Sequence, residues 1–505
     1  MASVKDDIQL IVNRVDFSGG INNRIQGSKI GDNQATNLLN ADIGTLGETK
    51  KRPGEVLIEN LGTTVGVGAF GFEPIGGTNE LLVQHGTNLE GWVTTGTFTA
   101  HKTNFTSTEN MKMLRAIDTT DGEIVILSNT TDNVFSMNQS HSFTDLGSGN
   151  LNPPKTLAYL WYRNRLWALK DNKLYWSDAV PSSFSGTWNQ TTNAYNMPVG
   201  KEKALIGIRD LGIVCFGGDS VWGINPSVSP VSSDKPEKII DIGCAAGNTV
   251  VQVGDDIMFL ANDGVRKLFR SQQDKIQIGS SFPENYLIKN EFDSLNWSKI
   301  SKATAVYFDN KYFLAVPVDA STYNNEVWVY YPATKGWTVI TGWNVGAWAK
   351  VKVSGEERLY YIDSNNASVY RAWTGYDDNG TAINYQEEGR KEDMGLPLRF
   401  KSGGEAKIRA LSSGNYDLTV YASIDDQSYQ ILGTMNLKGN APTLPASLPF
   451  TLADTNILEG IFHLDSLGPW RQIRIKVQHN ATNGSDDIII YERGIITYAD
   501  EYQSA

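Results

Sequence analysis

Residues 165–178 read RLWALKDNKLYWSD: a short apolar strand, the turn pair Asp171-Asn172, then a second strand that ends in two large rings. Asp and Asn tolerate the left-handed backbone that a two-residue hairpin turn demands, so the stretch reads as a tight antiparallel hairpin. The same pattern returns at 80–93 (ELLVQHGTNLEGWV), 123–137 (EIVILSNTTDNVFSM), 212–225 (GIVCFGGDSVWGIN), 256–270 (DIMFLANDGVRKLFR), 311–331 (KYFLAVPVDASTYNNEVWVYY) and 358–373 (RLYYIDSNNASVYRAW). The seven copies begin 43, 42, 47, 44, 55 and 47 residues apart. Before most of them stands one more apolar run, as at 112–117, 156–162, 204–209, 249–253 and 303–308, so each unit holds three or four strands. An all-strand repeat of 40 to 50 residues is the mark of a β-propeller, whose blades hide their faces against their neighbours. Seven blades are expected, six being the alternative because the first unit, 65–98, is the least regular. Gly and Asn interrupt every window long enough for a helix.

Outside the repeat, residues 1–62 form an N-terminal extended segment expected to pack on or close the propeller. It is expected to hold one short helix at 32–40 with Asp32 as its cap. Residues 8–17 alternate apolar and polar, which suits addition to an open sheet edge. The propeller is expected over 63–385. After it, 386–395 (QEEGRKEDMG) reads as a charged linker, and strand candidates at 405–411, 416–424, 428–432, 460–464, 471–477 and 487–498 predict a C-terminal β-sandwich over 386–505. The fold class is thus all-β.

Composition sets bounds on function. Of 505 residues 40% are apolar and 20% charged, and 13 Trp, 21 Tyr and 18 Phe are far more rings than a disordered chain carries. With 44 Lys+Arg against 56 Asp+Glu, the net charge of −12 argues against a groove built to grip nucleic-acid phosphates. Cys215 and Cys244 allow at most one bridge and read as buried thiols. Met1 to Leu10 contains no apolar signal region, and no run of about 18 apolar residues occurs, so a soluble chain without a secretion signal is expected. The Asn-x-Ser/Thr triplets at Asn104, Asn129, Asn189, Asn296 and Asn480 carry no weight without such a signal.

The chemical motifs are thin. Residues 66–71 (GVGAFG) satisfy G-x-G-x-x-G, but FEPIGG follows and cannot open a helix, so a glycine-rich strand is the better reading. Residues 44–50 (GTLGETK) lack Walker A spacing. The five His, at 85, 101, 141, 463 and 479, share no local ligand spacing with one another or with the cysteines, so no metal or other cofactor is expected. Residues 377–380 (DDNG) resemble the start of a calcium loop, but a hairpin turn is favoured. Glu387 and Glu388 could pair as glycosidase carboxylates, yet beside Arg390 and Lys391 they read as a solvated charge run. Trp161, Trp167, Trp176, Trp328, Trp337, Trp343 and Trp348 could stack sugars, and are read mainly as wedges between blades. No catalytic residue is expected.

One resemblance stands out. Residues 16–24 (DFSGGINNR), 30–44 (IGDNQATNLLNADIG) and 50–54 (KKRPG) follow the patterns F-S-G-G-x-N, D-x-x-A-x-x-x-x-N and K-R-P-G. This resembles the opening of the β-propeller tail nozzle, or packaged-DNA stabilisation, proteins of short-tailed bacteriophages. The stretches 164–188 and 259–268 resemble blades of that family, and 420–429 and 468–477 resemble its final domain. The resemblance implies a structural, non-enzymatic virion protein assembled in the bacterial cytoplasm. Copies would form a ring, typically of six, below the portal and adaptor and beside tail fibres or tailspikes. Viral DNA would pass through the ring without specific binding, retained until infection. The alternatives are a propeller that binds or cleaves carbohydrate during host recognition and, less favoured by the opening segment, a cellular scaffold propeller.

Overall fold

The computed structural model describes residues 8–14, 16–93, 96–106, 110–208, 212–231, 234–270, 276–278, 282–411, 413–438, 457–482 and 487–499. Seven antiparallel blades follow one another along the chain, at 66–102, 112–145, 159–196, 202–240, 251–278, 304–341 and 345–372; the first six contribute four strands each and the seventh three, its fourth coming from elsewhere in the chain. Their first strands approach one another around the centre, as in a propeller. Among the described residues the sole α-helix is the five-residue Lys289–Asp293.

Blade three explains why the repeat folds this way. Tyr159–Tyr162, Arg165–Lys170 and Lys173–Trp176 pair in register through Tyr162↔Arg165 and Lys170↔Lys173, leaving two-residue turns at Arg163-Asn164 and Asp171-Asn172. All four turn residues have positive φ, from 48° to 59°, the type I′ geometry that matches strand twist. Along the second strand the side chains then alternate between two cores. Leu166 and Ala168 join blade two, and Trp167 and Leu169 join blade four. A strand sandwiched in this way is apolar throughout, which is why RLWALK carries no polar face.

Blade seven is closed by the N-terminal segment. Its own strands, Val345–Val353, Glu356–Asp363 and Ser368–Ala372, lack an outer edge until Glu55–Asn60 pairs with Ser368–Ala372. The alternating run at 8–17 does something else: Ile8–Arg14 lies along Ile489–Ala499 in the sandwich. No helix forms at 32–40. Gln34 turns back on Gly31 through both backbone and side chain, Asn37–Leu39 is a strand, and Asn40 takes φ 54°. A helix over these residues would forfeit two sheet edges that they fill at once.

The linker expectation also gives way. Residues Tyr385–Glu388 form a strand, and Glu387 is 1% exposed because Arg493 clamps it, Nε to Oε1 at 2.6 Å, with the Tyr385 hydroxyl on Oε2 at 2.9 Å. The outer strand of blade six, Gly336–Thr341, pairs in parallel with Asn37–Leu39 (Leu39↔Val339), which pairs with Tyr385–Glu388 and onward to Ile473–His479, Asp417–Ile424 and Gln430–Asn436. One nine-stranded sheet therefore runs from propeller into sandwich. The opposing sandwich sheet is Ala41–Asp42, Thr49–Lys51, Ile489–Ala499, Lys401–Leu411 and Ile457–His463, with Ile8–Arg14 added to Ile489–Ala499.

Candidate functional site at the propeller–sandwich junction

The three opening motifs converge where the modules meet. Phe17 is buried beneath the Arg493 guanidinium, 4.6 Å from its ring centre. The Ile21 N–H donates to Trp337 O at 3.0 Å, and Gly20 and Asn22 exchange backbone bonds with Ala35. Asn40 donates from its amide to Thr341 Oγ1 at 3.1 Å and to Asn384 O at 2.9 Å. Arg52, fully buried, donates to Asn40 Oδ1 at 2.9 Å and to Thr341 O at 3.1 Å. It also grips both oxygens of Asp378, at 2.9 and 2.7 Å, and lies 4.5 Å over the Trp343 ring. A Cβ on Gly54 would stand 1.8 Å from Asp377 O, so only glycine lets the two segments touch.

Beside this joint opens a polar recess of about 290 Å³, lined by Asn40, Glu55, Thr341, Tyr370, Asp378 and Asn384. Burial pushes the Glu55 carboxyl up to about 8; the Tyr361 hydroxyl that it accepts pulls the other way, Asp378 adds to the rise and Arg52 opposes it. Burial likewise lowers the neighbouring Lys51 ammonium to about 8. The recess therefore offers a carboxyl that holds its proton near neutrality and a second carboxylate clamped by a guanidinium, among amides and hydroxyls suited to a polyhydroxylated ligand.

The remaining candidates fall into place individually. Residues 66–72 are the innermost strand of blade one, and a Cβ on Gly71 would lie 1.9 Å from Lys350 O, so the glycines there admit blade seven. Residues 377–380 lie at a hairpin whose two-residue turn is Asn379-Gly380, with Asp378 and Thr381 exchanging both backbone bonds at 2.9 Å. Glu388 faces away from Glu387, 3.8 Å from Arg474, so the two do not pair, and neither belongs to a solvated run. Trp167, Trp176, Trp328, Trp337, Trp343 and Trp348 are buried, and Trp161 is half-buried. Cys215 and Cys244 are buried free thiols, both raised by burial. His85 sits between Thr64 and Glu90, His479 between backbone carbonyls, and His463 is exposed. Sequence reading missed one association: Glu80, His101 and His141 come together from two blades. Their separations of 21 and 40 residues match no local ligand motif, and only the packing of blade one's outer strand against blade two's outer hairpin brings them together.

Fold and joint together define the class: a seven-bladed β-propeller whose last blade is closed from the N-terminal side and whose sixth blade continues into a β-sandwich. No protein-family model and no curated protein matches the chain. Solved structures do. Virginiamycin B lyase from Staphylococcus aureus is 9% identical over 63% of this chain and 97% of its own, with a TM-score of 0.40. The extracellular domain of the BT4673 one component system from B. thetaiotaomicron is 10% identical over 77% of this chain and 46% of its own, at 0.43. BBS1N in complex with ARL6DN is 13% identical over 64% and 97%, at 0.39. Likeness at this level bears on neither activity nor partners.

Proposed function

We propose that the protein is a structural subunit of a bacteriophage tail, forming a nozzle or hub ring that continues the DNA channel, retains the packaged genome and lets it leave. The opening segment carries the reading. The residues that resemble the nozzle family, Phe17, Asn22, Ala35, Asn40, Arg52 and Gly54, are those that join propeller to sandwich. A subunit that bears load in a ring needs its two contact surfaces on one stiff body, and a continuous sheet supplies that stiffness. The charge of −12 suits a wall past which DNA must slide, because like charges repel phosphates. Imaging of the purified protein tests the reading: closed rings, of six subunits by resemblance, that dock onto adaptor-bearing particles are expected. Monomers that never close into rings, alone or with tail components, would sink it.

The polar recess favours one second reading, a propeller that binds or cleaves carbohydrate at the host surface. It rests on Glu55 beside Asp378. Depletion of a host glycan by the protein, abolished in Glu55→Gln, would support it over the nozzle.

A further inference from the structure

Glu80 opens the second strand of blade one, His101 lies in that blade's outer strand Thr99–Lys102, and His141 sits at the hairpin tip between Phe135–Met137 and Phe143–Asp145 of blade two. His101 Nε2 is 2.6 Å from Glu80 Oε1, and His141 Nε2 is 2.9 Å from Glu80 Oε2. The imidazoles stack at 3.8 Å between centres, 15° from parallel, and one ligating atom from each residue lies within 4.8 Å of the others. Burial alone would raise the Glu80 carboxyl, but the His101 and His141 donors outweigh it and hold it below the ordinary carboxylate value.

A second observation concerns the space itself. Gly91 faces the cluster from the third strand of blade one, and a Cβ there would stand 2.0 Å from Glu80 Oε1 and 2.1 Å from His101 Nε2. The Glu80 carboxylate and the His101 ring occupy the space a side chain at residue 91 would take, so glycine there lets them meet. A hydrogen-bonded staple would account for one imidazole on each oxygen. The same arrangement also draws three ligating atoms from two blades within 4.8 Å of one another, close enough for one ion to take all three after a small shift.

We infer that blades one and two share a binding site for a first-row divalent transition metal, Zn²⁺ above all, with Glu80, His101 and His141 as ligands. Two imidazoles and a carboxylate are the donor set of such ions, whereas Mg²⁺ and Ca²⁺ take oxygen. Ligand atoms around tetrahedral zinc stand roughly 3.3 Å apart, so the cluster opens by about half an ångström to admit the ion. His141, 39% exposed, is the point of entry, and water completes the coordination. The bound ion pins the rims of two blades together. This holds whether or not the tail reading does.

The test is titration of the full-length, tag-free, EDTA-treated protein with Zn²⁺ and with Co²⁺ as a spectroscopic probe. One equivalent per chain, visible Co²⁺ bands of a four- or five-coordinate site and a rise in Tm of about 2 °C or more are expected. His141→Asn keeps the left-handed backbone at φ 59°, which asparagine accepts, and should weaken binding at least tenfold; Glu80→Gln should do the same. Wild-type protein that takes up no stoichiometric Zn²⁺ at micromolar concentration, or uptake unchanged in both variants, overturns the proposal.

Discussion

Arg52 is the residue on which most depends. Its buried guanidinium makes five hydrogen bonds to four residues, of which Asp378 is the only anion. Removing it would leave a largely buried carboxylate facing the Trp343 ring and N–H, so Arg52→Met is expected to cost about 3 to 5 kcal/mol in chemical denaturation. Lysine cannot reproduce the fork, and Arg52→Lys should recover little of that loss. Glu55 makes a prediction of opposite character. Its carboxyl is raised from 4.5 to about 8 in the folded protein, so over that window the folded form keeps a proton the unfolded chain has released. Its contribution to stability is full below about 4.5 and falls as pH rises toward 8, by at most about 1.4 kcal/mol per pH unit. Glu55→Gln should lack this decline. The difference in unfolding free energy between variant and wild type, measured from about pH 5 to 8, should move in the variant's favour, and a flat difference would contradict the assignment.

At the scale of elements, the N-terminal strands divide their labour between modules. Deleting residues 1–15 removes Ile8–Arg14, where Leu10 and Val12 are half-buried and Ile11 is 65% exposed, so a loss of roughly 1 to 3 kcal/mol is expected, with faster amide exchange confined to Ile489–Ala499. Deleting residues 1–62 strips the outer strand from blade seven and Phe17, Leu38 and Ile43 from the main core, and should lower Tm far more or abolish folding. Equal effects of the two deletions would refute this division. The same strands show what a sequence discloses. The blades were legible because Asp171-Asn172 and Asp309-Asn310 announce type I′ turns between strands apolar on both faces. The helix expected at 32–40 failed because Asn37–Leu39 takes its structure from Val339 and Gln386, some 300 residues distant, which no local pattern records. Glu387 was read as solvated because a buried carboxylate has the same composition as an exposed one until its partner, Arg493, is known.

Across the whole molecule, the nine-stranded sheet makes propeller and sandwich mechanically one. A flexible tether at 386–395 would be cut first by a protease. Here Glu387 is buried, and Arg390 and Lys391 are occupied by Asp32 and Asp426. Limited proteolysis is therefore expected not to release a stable propeller by cleavage within 386–395, and early scission there would contradict the fused sheet. The segment is also why a chain ended at residue 385 would not isolate the propeller cleanly: Asn37–Leu39 would lose one of its two partner strands, and Phe17 its cover.

That N-terminal closure has a consequence in time. On the ribosome the strand Glu55–Asn60 emerges roughly 300 residues before Ser368–Ala372, and Ile8–Arg14 waits longer still for Ile489–Ala499. At ~5 to 20 residues per second the first interval alone lasts roughly 15 to 60 s. Throughout it the nascent chain carries an unpaired apolar edge while six blades accumulate behind it. Yield in a cell is thus a race between elongation and the misassociation of exposed strands, and chaperone supply or slowed growth should change how much protein is recovered without altering the finished fold.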